Sequence, residues 1–109
     1  MHPDSNQIRA RRATFRQLHA AGCFAIPNPW DAASARWLAG LGFQALASTS
    51  SGHAWSQGHA DGGMPLPAVL DYLRSLVAAT DLPVNADFEH GFADDAAGVA
   101  RNVALAVDT

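Results

Sequence analysis

The sequence predicts a parallel α/β fold, with one leading helix followed by three strand–helix units. Three observations predict it. Short apolar runs alternate with segments of helical periodicity. Unusual polar residues cluster after each apolar run, while the opposite ends, Gly22, Gly42 and Leu82-Pro83, are bland. Hydrophobic residues make up 49% and charged residues 16%, a balance that suits a buried core and argues against disorder.

The elements follow in chain order. Asp4 and Ser5 can cap a helix from about Asn6 to Ala21, with Ile8, Phe15, Leu18 and Ala21 roughly on one face. Gly22 tolerates left-handed geometry and stops it. Cys23-Phe24-Ala25-Ile26, closed by Pro27 and Pro29, reads as a buried strand. Asp31 caps a helix from Ala32 to about Ala39, which Gly40 and Gly42 end. Phe43 to Ser48 reads as a second strand. Thr49 to Gly63 is a polar loop of 15 residues, long enough to suggest a functional role. Pro65 or Pro67 opens a helix through about Thr80, with Val69, Leu70, Leu73, Leu76 and Val77 inward. Leu82 to Ala86 is a third strand, and Asp94 and Asp95 begin a last helix running to Thr109.

Three βα units neither close a barrel nor make a good doubly wound sheet. A (β/α)8 barrel takes about 250 residues. Residues 1–109 therefore read as a single partial domain, the N-terminal part of a (β/α)8 TIM-type barrel. A small three-layer domain is the alternative.

Composition excludes several functions. The net charge of -3 argues against nucleic-acid and anionic-membrane partners, which need a positive patch. All seven basic residues are arginine. Without lysine there is no Schiff base and no P-loop. The lone Cys23 leaves no internal disulfide and no multi-cysteine zinc site. It reads as a small buried hydrophobe rather than a nucleophile. No apolar run approaches the roughly 20 residues of a membrane span. Met1 to Arg12 lacks the apolar centre of a secretory signal, so a cytoplasmic protein is expected.

Ligands of parallel α/β folds bind at the C-terminal strand ends. Here those ends are Asn28-Pro29-Trp30-Asp31, Ser48-Thr49-Ser50-Ser51-Gly52-His53 and Asn85-Ala86-Asp87-Phe88-Glu89-His90-Gly91. Asn28, Ser50 and Asp87 should therefore lie on one face of a parallel three-stranded sheet, at its C-terminal edge. Asp87 is the strongest candidate. Strand alternation places Asn85 and Asp87 on one face, and two hard oxygen donors suit Mg²⁺ or Mn²⁺. The plainer reading is that Asp87 caps a turn. Asp61 either swings over the site as a second carboxylate or is a solvated turn residue. Ser48 to Gly52 could offer hydroxyls and N–H groups to an anionic substrate, or be an ordinary Ser/Gly loop. Trp30 could wall a pocket and Trp55 act as a lid, while Trp37 reads as core. His53, His59 and His90 match no zinc spacing, and His2 and His19 read as surface residues.

Three segments carry a resemblance. They are Asn28-Pro29-Trp30-Asp31-Ala32-Ala33-Ser34-Ala35, then Thr49-Ser50-Ser51-Gly52 followed by Gly58 and Asp61, and Val84-Asn85-Ala86-Asp87-Phe88-Glu89-His90-Gly91. In order and spacing they resemble the isocitrate lyase/phosphoenolpyruvate mutase superfamily, from about Phe15 to the end. The resemblance implies a (β/α)8 barrel, Mg²⁺ (or Mn²⁺) as cofactor, and small 2-oxo or hydroxy carboxylate substrates. It implies a homo-oligomer and lyase- or mutase-type chemistry through an enolate, with C–C cleavage expected. Asp87 and Asp61 would hold the metal as catalytic residues, joined by Asn85. Ser48, Thr49, Ser50, Ser51 and Gly52 would grip the substrate carboxylate, with Trp30 beside it.

Many relatives carry an aspartate where this chain has Asn85, so the site has one negative charge fewer. The family's next metal-shell acid, its arginine and its mobile loop with a catalytic cysteine lie beyond the segments matched here. Cys23 does not inherit that loop's role. The 109-residue chain alone is expected to be inactive, to bind Mg²⁺ weakly and to self-associate through exposed apolar faces. The alternative function is accordingly a truncated, inactive barrel fragment acting as a binding or self-associating module.

Overall fold

The computed structural model describes residues 3–109. His2, read as a surface residue, lies outside them. In chain order the elements are α1 (Ser5–Leu18), α2 (Ala32–Gly40), β1 (Leu46–Ala47), α3 (Ser50–Ser56), α4 (Leu66–Ala79), β2 (Val84–Asn85) and α5 (Ala96–Val107).

Side-chain caps start α1, α2 and α5 close to where the sequence places them. Asp4 accepts from the N–H groups of Asn6 and Gln7, and Gln7 Oε1 accepts from the Asp4 N–H at 2.8 Å, a reciprocal capping box. Asp31 and Ser34 form a second such box on α2. Asp95 Oδ1 accepts from the Gly98 N–H at 2.7 Å on α5. α1 ends at Leu18, three residues before the expected Ala21. His19 stops it there. Its Nδ1 lies 2.7 Å from Phe15 O, and its ring meets Phe15 and Phe24 edge-on at 4.6 and 4.9 Å.

The sheet is smaller than expected. β1 and β2 pair in parallel, Leu46 opposite Val84 and Ala47 opposite Asn85, and they are the sheet's two strands among the described residues. The expected strand Cys23–Ile26 is not one of them. It has no regular secondary structure, and the bond to β1 comes from the next residue, where the Ala47 N–H donates to Pro27 O at 3.0 Å. Pro27 and Pro29 have no N–H to continue a ladder. Cys23 is exposed, not buried, because it stands at the far end of this segment from that bond.

The core forms where α2 and α4 pack over the sheet. It contains Ala35, Leu46, Tyr72 and Leu76, flanked by Leu38, Ala79, Leu82 and Val84. α4 supplies most of it, burying Val69, Leu70, Tyr72, Leu73 and Leu76 at helical spacing. Trp37, read as core, is 73% exposed. Ala35 and Leu38, three apart, take the inner face of α2, and Trp37 lies off that face. α5 buries Gly98 but exposes Val103, Leu105 and Val107. An open apolar groove of about 420 Å³ runs between α1, α4, β2 and α5, lined by Phe15, Leu73, Val84 and Val107 among others. Among the described residues no helix is long and apolar enough to cross a membrane.

Candidate active site

The expected loop Thr49–Gly63 contains a helix, α3. Thr49 is its N-cap, with Oγ1 accepting from the Gly52 N–H at 3.1 Å. A β-carbon on Gly52 would lie 2.8 Å from Thr49 Cγ2, so only glycine fits beside this cap. Ser48 therefore ends the strand segment, and Ser50, Ser51 and Gly52 form a first helical turn rather than a loose loop. The Ser/Gly composition hid this, because it matches a loop and a capped short helix equally well.

Three chain segments meet at the C-terminal ends of β1 and β2. Ser48 is 2% exposed, and its N–H donates to Asn85 O at 2.8 Å. Its hydroxyl oxygen accepts from the Asp87 N–H at 2.7 Å. Asn28 Nδ2 donates to Ala47 O at 3.2 Å and Ser48 O at 3.4 Å. Asp87 Oδ2 accepts from the Ser50 N–H at 3.1 Å, and Oδ1 from the Glu89 N–H at 3.2 Å. Asn28, Ser50 and Asp87 thus come together at one edge as expected, but of a two-stranded sheet in place of the expected three-stranded one. Partial burial pushes the Asp87 carboxyl up, but the hydrogen bonds from Ser50 and Glu89 outweigh it and hold the group below its ordinary value. Asp87 is a carboxylate near neutral pH.

The other expected residues are placed less tightly. Asn85 is exposed, its backbone engaged in the ladder. Asp61 is exposed in a turn. A β-carbon on its neighbour Gly62 would stand 3.7 Å from Glu89 Oε1, so this turn faces the strand-end segment. Trp30 is 52% and Trp55 66% exposed, so neither is packed over the site. Among the described residues no three or more His, Cys, Asp or Glu side chains gather as a metal-holding group.

Tyr72 escaped the sequence reading. From α4 its hydroxyl donates to Pro29 O at 2.7 Å and accepts from the Thr49 N–H at 3.0 Å. The His53 ring stacks on it, centroids 4.0 Å apart and planes 2° from parallel. His53 Nδ1 is buried with no hydrogen-bond partner. Burial holds the imidazole below its ordinary value, partly offset by the Trp30 backbone. Burial likewise pushes the Tyr72 phenol up; the Thr49 N–H opposes this, and the charges of Asp87 and Asp31 add to it. Tyr72 is the single tyrosine, so tyrosinate absorbance reports it alone. In the folded chain that absorbance is expected to rise only above the ordinary value of 10.0. The unfolded chain then loses its proton first, so stability falls as pH rises past about 10. A folded-state titration at or below the ordinary value would contradict this burial.

The family model for phosphoenolpyruvate phosphomutase matches residues 15–109. The uncharacterized protein Rv1998c of Mycobacterium tuberculosis strain H37Rv is 35% identical over 92 residues, 84% of this chain and 36% of that protein. A candidate lyase/mutase from Burkholderia cenocepacia J2315 is 48% identical, with a TM-score of 0.91 over 94% of this chain and 37% of its own. A candidate phosphonomutase from the same organism is 38% identical, with a TM-score of 0.87 over 93% of this chain and 40% of its own. The crystal structure of 2,3-dimethylmalate lyase, a PEP mutase/isocitrate lyase superfamily member, is 26% identical, with a TM-score of 0.74 over 95% of this chain and 36% of its own. The chain thus spans little more than a third of the length of these relatives, and over that third it has the fold of the superfamily's α/β barrel.

Proposed function

The chain belongs to the phosphoenolpyruvate phosphomutase family, and from that premise we propose that it contributes to a Mg²⁺-dependent site for small 2-oxo or hydroxy carboxylates. The proposed chemistry is lyase- or mutase-type, through an enolate, with C–C cleavage as the favoured step. The observation that carries this reading is the Asp87 carboxylate, kept ionised at the strand ends by Ser50 and Glu89.

The donor set fits a hard divalent cation. Mg²⁺ keeps several waters and is commonly held through one or two carboxylates plus substrate, so a full protein cage is not required. Asp87 accepts one backbone N–H at each carboxylate oxygen and a further hydrogen bond from the Ser50 side chain, which still leaves lone pairs for a cation. In this reading Asp87, Asn85 and Asp61 would hold Mg²⁺ or Mn²⁺. Such a cation supplies stabilisation for the negative charge that develops on an enolate oxygen. With no lysine in this segment, the cation would supply the electron sink that a Schiff base supplies elsewhere.

The chain's own residues bind and orient. Ser48, Thr49, Ser50, Ser51 and Gly52 would face the substrate carboxylate. Thr49 and Ser48 already spend their side-chain oxygens on Gly52 and Asp87. Both oxygens accept there, so their O–H groups can still donate to a carboxylate; the Ser50 side chain also bonds Asp87, and Ser51 Oγ lies 3.5 Å from Thr49 Oγ1. Trp30, exposed at the same edge, would lie beside the substrate.

A second reading, an inactive binding or self-associating module, is favoured by the open groove and by exposed Val103, Leu105 and Val107. One experiment separates the two. A barrel of the family carrying this segment is screened with Mg²⁺, and with chelator, against a panel of 2-oxo and hydroxy acids. The isolated chain is sedimented in parallel. Chelator-sensitive turnover supports the enzyme reading. Self-association of the isolated chain, with no turnover from the barrel, supports the module.

A further inference from the structure

We propose that Tyr72 is a positioning residue for the Asp87 carboxylate, acting through Thr49 and Ser50. This rests on the assignment of Asp87 to the site proposed above. Tyr72 is 5% exposed, and its hydroxyl joins two strand-end segments, with Pro29 O on one side and the Thr49 N–H on the other. A buried tyrosine needs one partner for its hydroxyl. Here it has two, each on a backbone segment that leads directly into a candidate site residue, Trp30 or Ser50.

The geometry passes from Tyr72 to Asp87 in two steps. Thr49 is held at its N–H by Tyr72 and at its Oγ1 by the Gly52 N–H. Its backbone torsions are thereby fixed, and with them the direction of the next N–H, because the intervening peptide unit is planar. That next N–H belongs to Ser50 and meets Asp87 Oδ2 at 3.1 Å. The His53 ring, from the same helix as Ser50, lies flat on the Tyr72 ring and holds it from the side. Burial first, and then the Asp87 and Asp31 charges, push the phenol up, in keeping with a hydroxyl that donates to Pro29 O.

Tyr72→Phe keeps the ring and the stack and removes the hydroxyl. Two quantities are read on the full 109-residue chain: amide resonances, and Mn²⁺ affinity from the free-ion paramagnetic signal. The expected result is displaced Thr49 and Ser50 amide resonances with those of Leu76 and Ala79 unmoved. Mn²⁺ affinity at Asp87 should fall about tenfold, the usual consequence of losing an outer-shell partner. Unmoved Thr49 and Ser50 resonances overturn the proposal, as does an unchanged Mn²⁺ affinity. If wild type and Asp87→Ala bind Mn²⁺ equally, the metal reading fails by itself. The Asp87 carboxylate carbon resonance then decides: displacement by Tyr72→Phe upholds the positioning role, and no displacement overturns it. If Tyr72→Phe does not fold, 3-fluorotyrosine at this single tyrosine keeps the hydroxyl but makes it a stronger donor and a weaker acceptor, at the cost of one ring fluorine. Displaced Ser50 resonances then uphold the role, and unmoved ones overturn it.

Discussion

Asp87→Ala is expected to abolish Mg²⁺-dependent turnover in a barrel of the family that carries this segment, while the fold survives. The carboxylate sits at the strand ends, where it accepts from the Ser50 and Glu89 N–H groups. Both donors lie on exposed or half-buried backbone that water can reach, so truncation leaves no deeply buried orphan. What it removes is the best-placed negative charge of the proposed cation site. The check is steady-state turnover beside a thermal melt. Activity within about tenfold of wild type, roughly 1.4 kcal/mol of barrier, would mean that Asp87 is not central.

The largest expected effect on stability comes from the opposite kind of residue. Leu76 is fully buried in the core with Ala35, Leu46 and Tyr72. Leu76→Ala removes its buried methyl groups and leaves a cavity, at an expected cost of about 2–5 kcal/mol. Against a usual domain stability of about 5–15 kcal/mol, that is a large share. Urea unfolding of the pair of proteins measures it. Leu105→Ala is the control, since Leu105 is 45% exposed on α5. Its expected change stays within about 0.5 kcal/mol. Equal effects at the two positions would contradict the core as described.

What the sequence made legible was local. Asp4, Asp31 and Asp95 cap helices because a short acidic side chain reaches N–H groups two or three residues ahead. The polar ends at Asn28, Ser48 and Asp87 could be read because strand direction sorts polar residues to one edge. Long-range pairing was not legible. Tyr72 stands in the apolar stripe of α4 between Leu70 and Leu73, where its ring satisfies the pattern. Its hydroxyl finds partners 43 and 23 residues away, which no local window detects. Cys23 and Trp37 were misplaced for a related reason. Apolar character says that a residue could be buried, but only the neighbouring elements decide whether it is. Beyond Cys23 one bond reaches β1, from Pro27 just past the expected strand, and at Trp37 the helix turns Ala35 inward instead. Within the site, the hydrogen bonds of Asp87 depend on Ser50 heading a short helix. That helix is written in residues that also write a loop.

The central claim is that the strand ends gather around Asp87 as a cation and carboxylate site. Paramagnetic broadening by Mn²⁺ tests it most directly, because it reads position even when binding is weak. On the isotopically labelled chain, the account predicts that the amides of Ser50, Ala86 and Asp87 broaden first, and that Asp87→Ala removes the effect. Broadening that centres elsewhere, or that persists unchanged in Asp87→Ala, would contradict it.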